Sequence, residues 1–236
     1  MKKCAFCGTE NIDTETFCEF CGYRFNETPL NIVANSKIDR ISTPVVSSFD
    51  RGYVTEKLVA DAGSKEIVLT DAYVFITSEQ LLDIHDILPL LEETAKNGDQ
   101  LLIIADSFEE NVINTLVVNR QRGALICAAV KAPGFGDRRK EMLTDIAILT
   151  GGQVIAAGSG LNLHDITLAH CGKAKMIKVT ESDTFITEGN GNPERISERI
   201  TQLKEYVLTI PSLYDKEKTQ ERLINLFGLP KEDVMC

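Results

Sequence analysis

Four cysteines open this 236-residue chain as C-x2-C, ten residues, C-x2-C: Cys4, Cys7, Cys18 and Cys21. Thiolates are ligands that zinc takes, and four of them complete a tetrahedral shell. Gly8 and Gly22 directly follow the second cysteine of each pair, where the missing Cβ lets the backbone curl so that its N–H groups face sulfur. The residues around the four cysteines could not form an apolar core of their own, so a metal would supply the folding energy. The spacing therefore predicts one structural Zn2+. A catalytic zinc keeps a coordination position open and usually has a His, Asp or Glu ligand; four thiolates leave none open. Cys127, Cys171 and Cys236 are scattered, and an odd, uneven total of seven fits a reducing compartment better than a disulfide framework.

The second stretch that could do chemistry is "VKAPGFGDRRKEM" (130–142), in which two glycines bracket an aromatic and a basic triplet follows. It has the look of a phosphate cradle. Its local physics predicts otherwise. Asp137 is placed to cap a helix beginning at Arg138, and a capping carboxylate occupies the helix N-terminus that a phosphate would need. Gly134 and Gly136 permit a tight strand-to-helix turn, and Phe135 is expected to pack. His85, His164 and His170 are isolated, with His85 expected on a solvated helix face. No Ser-His-Asp set, carboxylate pair or nucleotide motif points to an enzyme, and no ATP site is expected. The net charge of −10 argues against nucleic acid as a partner, which needs a basic face, and against an anionic membrane surface. No apolar run approaches the roughly 20 residues of a membrane span. "MKKCAFC" has no apolar stretch behind its basic start, so no secretory signal is read. The chain reads as soluble and cytoplasmic.

These stretches sit in an alternating chain. Residues 1–26 form the cysteine module, and 27–46 read as a linker with two prolines and no steady period. "EIVLTDAYVFIT" (66–77) predicts two strands or a strand and a turn. A helix is expected over 78–97, a strand over 101–105, a helix over 108–122 and a strand over 124–130. A helix over 138–150 and a strand over 153–157 follow. Strands and helices at this spacing predict βαβ crossovers around a parallel sheet, an α/β domain. Beyond Gly191 two charged amphipathic helices, 193–209 and 213–227, are expected to pair as a hairpin about Pro211, along stripes of Ile200, Leu203, Val207, Leu223 and Leu226.

The helices over 78–97 and 108–122 carry surplus apolar width. Each opens on a pattern that fits a capping box, Thr77-Ser-Glu-Gln80 and Ser107-Phe-Glu-Glu110. In the first, Leu81, Ile84, Leu88 and Leu91 make one stripe, and Leu82, Ile87 and Leu90 spread beyond it. In the second, Val112 and Leu116 share a face, Ile113 and Val117 an adjacent one, and Val118 widens it. A helix lying on a sheet needs one stripe. Either both helices are sandwiched or buried in an oligomer, or an apolar groove between them is exposed to bind another protein.

Several stretches resemble the group I, GroEL-type chaperonins: "FDRGYV" (49–54), "ILPLLEETAKNGDQLLIIAD" (87–106), "TLVVNRQRG" (115–123), "AAVKAPGFGDRRKEMLTDIAILTGGQVI" (128–155) and "YDKEKTQERL" (214–223). The likeness runs from about Ser47 to about Phe227, and "KAPGFGDRRK" is highly specific to that family. The N-terminal module is similar to the small zinc ribbons often found at the N-termini of prokaryotic proteins. The resemblance implies a zinc ribbon (1–26), a linker (27–46), a chaperonin apical-like swivelling β/β/α domain (47–190) and a helical remnant of the intermediate domain (191–236), with "EGNGNPE" (188–194) as the hinge.

In that family the apical domain binds non-native polypeptides, and a co-chaperonin's mobile loop, in a groove between two helices that match 78–97 and 108–122. The groove positions carry over as Tyr53 and Leu58 on the preceding segment, Leu88 and Leu91 on the first helix, and Ile113, Val117 and Val118 on the second. Asn119 and Arg122 match polar positions beside it. Lys57 stands where the family usually has an aromatic. Leu213 and Asp215 flank Tyr214 where the family has two aspartates. "NLFGLP" (225–230) lacks the family's nucleotide-touching double glycine, and no counterpart of the equatorial ATPase domain is present. The implied function is an ATP-independent, chaperone-like binder of exposed apolar segments. The alternative is an adaptor whose groove takes one defined partner, a co-chaperonin-like loop or a chaperonin subunit, while the ribbon contacts a second protein.

Overall fold

The computed structural model describes residues 2–3, 10–11, 46–59, 64–157 and 160–227. The four expected zinc ligands, almost all of the expected linker and the segment after Phe227 lie outside the described residues. A two-residue antiparallel pair, β1 (Lys2–Lys3) with β2 (Glu10–Asn11), sets Lys2 opposite Asn11 and Lys3 opposite Glu10, bracketing the first C-x2-C in the sequence.

The rest is an α/β fold. Its sheet runs in the order β3 (Val46–Phe49), β11 (Thr184–Gly189), β10 (Gly172–Val179), β4 (Ile67–Thr77), β6 (Gln100–Ala105), β8 (Ile126–Lys131), with β9 (Val154–Ile155) added beside the end of β4. The expected parallel sheet is therefore mixed. The pairs β3–β11, β11–β10 and β10–β4 are antiparallel, whereas β4–β6, β4–β9 and β6–β8 are parallel. The stretch 66–77 is one eleven-residue strand rather than two. Its burial follows its partners. Beside β10 exposed Val68 and Thr70 alternate with buried Ile67 and Leu69, and beside β6 and β9 Val74–Thr77 are buried continuously, as a parallel strand covered on both faces requires.

The pleat changes phase in one row of that sheet. Leu69 and Ala72 are both buried, as are Ala174 and Ile177, although residues three apart on a regular strand face opposite sides. Asp71 (φ 49°) and Glu188 (φ 51°) adopt left-handed backbone there. The register is the same on both sides of the row: Thr70 pairs with Met176 and Ala72 with Ala174. No residue is inserted, so the flip is shared across the strands.

Helix α1 spans Leu88–Asn97, ten residues fewer than expected. Residues 80–81 instead form β5 (Gln80–Leu81), paired in parallel with β7 (Ser107–Phe108). Ile84–Asp86 form a 3-10 turn capped by Asp83, whose Oδ1 accepts from His85 N at 3.0 Å. Pro89 explains the late start. It has no N–H for an i−4 carbonyl and is tolerated only in the first helical turn. Helix α2 (Glu110–Gln121) also starts late, at the last residue of its expected capping box, and no side chain caps it. Helix α3 (Gly136–Thr150) begins two residues before Arg138, so Asp137 lies inside its first turn and does not cap it. Phe135 does not pack inside; it is 74% exposed, with the Arg51 and Arg139 guanidinium groups 5.7 and 5.5 Å from its ring centroid. Arg139 pairs with Asp106 at the end of β6.

Helices α4 (Pro193–Thr209) and α5 (Leu213–Phe227) form the expected hairpin, with Leu203, Val207 and Leu223 buried between them. No helix among the described residues is long and apolar enough to cross a membrane. At the junction before α4, Gly191 N donates to Leu149 O at 2.9 Å. A Cβ at Gly191 would lie 2.1 Å from Ile148 O, so this glycine serves close approach. The hairpin meets α3 through charge. Asp145 accepts from Arg199 Nε at 2.8 Å and from Arg222 Nε at 2.7 Å, and Glu141 Oε2 accepts from Nη2 of both arginines.

Burial pushes the Glu141 carboxyl upward, but its bonds from Arg222 and Arg199 outweigh that and leave it below the usual glutamate range. A depressed carboxyl stabilises fully above its unfolded-state value, about 4.3. That contribution is lost as pH falls through the folded-state value. The thermal stability of the natural chain over Glu141→Gln should therefore be constant from about pH 8 to about pH 5.5 and vanish on further acidification. Melting curves of both proteins across that range check it; an advantage that disappears already near pH 6.5 would contradict the assignment.

Candidate functional site

Three segments meet where the groove is expected. The first is Gly52–Leu58. A Cβ at Gly52 would sit 2.0 Å from Glu181 O, so only glycine lets the chain pass the loop between β10 and β11. Tyr53 N then donates to Thr180 O at 3.1 Å and Val54 N to Ala129 O at 2.9 Å. Tyr53 pairs antiparallel with Val130, laying the segment along the outer edge of β8. Thr55 caps a 3-10 turn, Glu56–Leu58, which packs on α2 and β8.

The second segment is the turn Ile84–Asp86 with α1. This turn touches both α1 and α2, and α1 also packs on two further turns, Leu163–Asp165 and Leu168–His170. Glu93 on α1 accepts from Leu168 N at 3.0 Å. His164 lies 3.5 Å from Asp86 and 3.2 Å from the carbonyl oxygen of His85. Ile166 and Leu168 are buried in the same core. The third segment is α2. Glu109 N donates to Leu81 O at 3.0 Å, which fixes where the helix starts. Arg120 Nη1 donates to Cys127 O at 2.5 Å.

The surplus apolar width is mostly spent inside the protein. Leu58 is fully buried, and Leu91 and Val117 are nearly so. Tyr53, Leu88 and Ile113 are half-buried. Of the predicted apolar positions Val118 alone is well exposed, at 41%. Asn119 is half-buried, and its side chain donates to Thr115 O at 2.8 Å within its own helix. Arg122 is exposed. Among the described residues Leu82 belongs with this surface, 55% exposed just before the shared turn; its place outside the main stripe was the sequence signal. Gly52 carries no such signal, because its role depends on Glu181, far along the chain.

Among the described residues, the two cysteines lack the setting of a nucleophile. Burial pushes the thiols of Cys127 and Cys171 up to about 12, with Glu93 adding to the effect at Cys171 and Arg120 opposing it at Cys127. Both are therefore protonated at neutral pH. His85 lies in an exposed turn rather than on a helix, with Nδ1 2.7 Å from Asp83. His170 Nδ1 accepts from Thr167 N at 3.2 Å, closing a local cap. Among the described residues no group of three or more His, Cys, Asp or Glu could hold a metal ion. No protein-family model matches the chain.

Burial separates two kinds of position. Leu58→Ala should cost about 2–5 kcal/mol, whereas Val118→Ser should change stability by no more than about 0.5 kcal/mol. Urea unfolding of both variants measures this. Equal losses would mean that Val118 is a core residue.

Proposed function

We propose that this chain is an ATP-independent, chaperone-like protein that holds exposed apolar polypeptide segments, built as an N-terminal zinc ribbon followed by a chaperonin apical-like domain. The observation that carries this reading is that the three segments that meet here keep apolar side chains accessible: Leu82 and Val118 exposed, with Tyr53, Leu88 and Ile113 half-buried. The resemblance of residues 47–227 to group I chaperonins supplies the class of ligand. Cys4, Cys7, Cys18 and Cys21 would hold the zinc as four thiolates, a closed site with a folding role.

The surface is small, which limits what it can hold. Two leucine-sized anchors contribute roughly 1.5–3 kcal/mol each before entropy is lost, so one chain binds at micromolar strength or weaker. The same smallness favours a second reading. An adaptor that takes one defined loop needs only a narrow apolar contact, and Lys57, exposed beside Leu58, narrows it further.

Leu91→Glu or Val117→Glu would bury a charge and unfold the protein, so Val118→Glu and Leu82→Glu are the informative variants. The intact protein is expected to suppress aggregation of two or more unrelated unfolding proteins, followed by light scattering. Both variants should lose most of that while keeping their far-ultraviolet circular dichroism. Suppression that survives both substitutions would sink the surface. No suppression, with one cellular protein co-purifying in a Val118-dependent way, would favour the adaptor. For the ribbon, elemental analysis should find one zinc per chain. Cys18→Ser should remove it and leave the melting of the α/β body unchanged.

A further inference from the structure

Apart from any polypeptide binding, the C-terminal hairpin is built unlike the body. Its buried apolar residues, Leu203, Val207 and Leu223 with Ile200 against them, form a cluster separate from the main core. Among the described side chains, these and Ile210 at the turn are the buried apolar residues of the 35-residue pair (193–227), and an isolated helix pair of that size has little buried surface to hold it folded. The pair packs on β3 and α3, and the side-chain hydrogen bonds that tie it to α3 are charged. Asp145 is 7% exposed and lies between Arg199 of α4 and Arg222 of α5, and Glu141 one turn earlier bridges the same two guanidinium groups. Arg199 also reaches Gln202 at 3.4 Å. Ser47, Ser48, Phe49, Met142 and Ile146 line the gap beside Asp145 and Arg222. Two arginines and two carboxylates balance, so removing one carboxylate leaves an excess positive charge in a largely buried place, which is strongly destabilising.

We propose that the α4–α5 hairpin is an order–disorder element whose folding depends on this four-residue ion cluster, and that losing the Asp145 charge melts the hairpin while the α/β body stays folded. A second tether gives a built-in comparison. Arg138 donates to Asp215 at 2.8 Å and to the Tyr214 hydroxyl at 3.3 Å, but both acceptor side chains are about half exposed. Exposed pairs of that kind contribute little. Melting would uncover Phe49 and Ile146 on the body and free the apolar stripes of both helices.

The test is hydrogen exchange of the full chain, followed by mass spectrometry of peptides from 193–227 and from β4, β6 and β8. In Asp145→Asn the hairpin amides are expected to exchange at least about a hundredfold faster than in the natural chain, with the three strands unchanged. Glu141→Gln should show the same pattern at smaller size, because Asp145 remains, and Asp215→Asn should change hairpin exchange less than about fivefold. Unchanged hairpin exchange in Asp145→Asn overturns the proposal. So does acceleration of the hairpin and strands together in both Asp145→Asn and Glu141→Gln, which would make the hairpin an integral part of one cooperative unit.

Discussion

Strand β4 joins neighbours of two polarities, and the rest of the body depends on how it does so. Its first part pairs antiparallel with β10, its last part runs parallel to β6 and β9, and among the described residues no other strand belongs to both halves. The two halves need different burial. An antiparallel strand can alternate buried and solvated residues, whereas a parallel strand between helices is covered on both faces. The left-handed backbone at Asp71 lies between these regimes, and the same row continues to Glu188. Left-handed backbone is uncommon outside glycine. Its appearance at two places in one row of a regular ladder means that the sheet holds it there. The flip puts Ala72, Val74 and Ala174 in the core beside α3, and the site segments are hung from the parallel half that follows.

That arrangement decides how much apolar surface is left to bind anything. Periodicity shows which helix faces are apolar but not what covers them. Here the covering comes from short turns: Glu56–Leu58 on α2, Ile84–Asp86 against both helices, and Leu163–His170 on α1. None of these carries a helical or strand pattern of its own. The first and third bury Leu58, Ile166 and Leu168, while Ile84–Asp86 lies over both helices with Ile84 half-buried, and together they remove helix surface from solvent. The remaining patch is narrower than the helix patterns imply, because surplus apolar width can serve as a second internal interface.

The order of strands and helices from 100 to 155 and the hairpin bounds 193–209 and 213–227 were legible in the sequence, the latter because Pro193, Pro211 and a 3.6-residue period mark them. The first helix was not. The apolar run 81–91 reads equally well as helix, and only Pro89 hints that its first half does something else. The β5–β7 pair that replaces it joins residues 27 apart, which no local pattern records. The antiparallel half was missed for the same reason: β3 and β11 pair across 135 or more residues. Candidate site residues were legible as types but not as exposures. Leu58 and Val118 each stand between a valine and a polar residue, and one is fully buried while the other faces solvent.

The segment "KAPGFGDRRK" shows what a distinctive sequence can be distinctive for. Its arginines look available to an anion, but each already has a carboxylate: Asp215 for Arg138 and Asp106 for Arg139. Arg138 also stacks on Tyr214 at 4.9 Å, so this one arginine ties the α3 N-terminus to the start of α5. One and two turns further along α3, Glu141 and Asp145 make the mirror-image arrangement, with carboxylates on the body and arginines on the hairpin. Helix α3 therefore offers a positive group and then two negative ones along the side facing α4 and α5. The hairpin supplies the opposite sequence of charges, which fixes its register along α3 as an apolar face could not, because apolar contacts are tolerant of sliding and charge pairs are not. A surface that specifies register so closely belongs to folding, and the binding surface of this protein must be sought where charges leave apolar side chains uncovered.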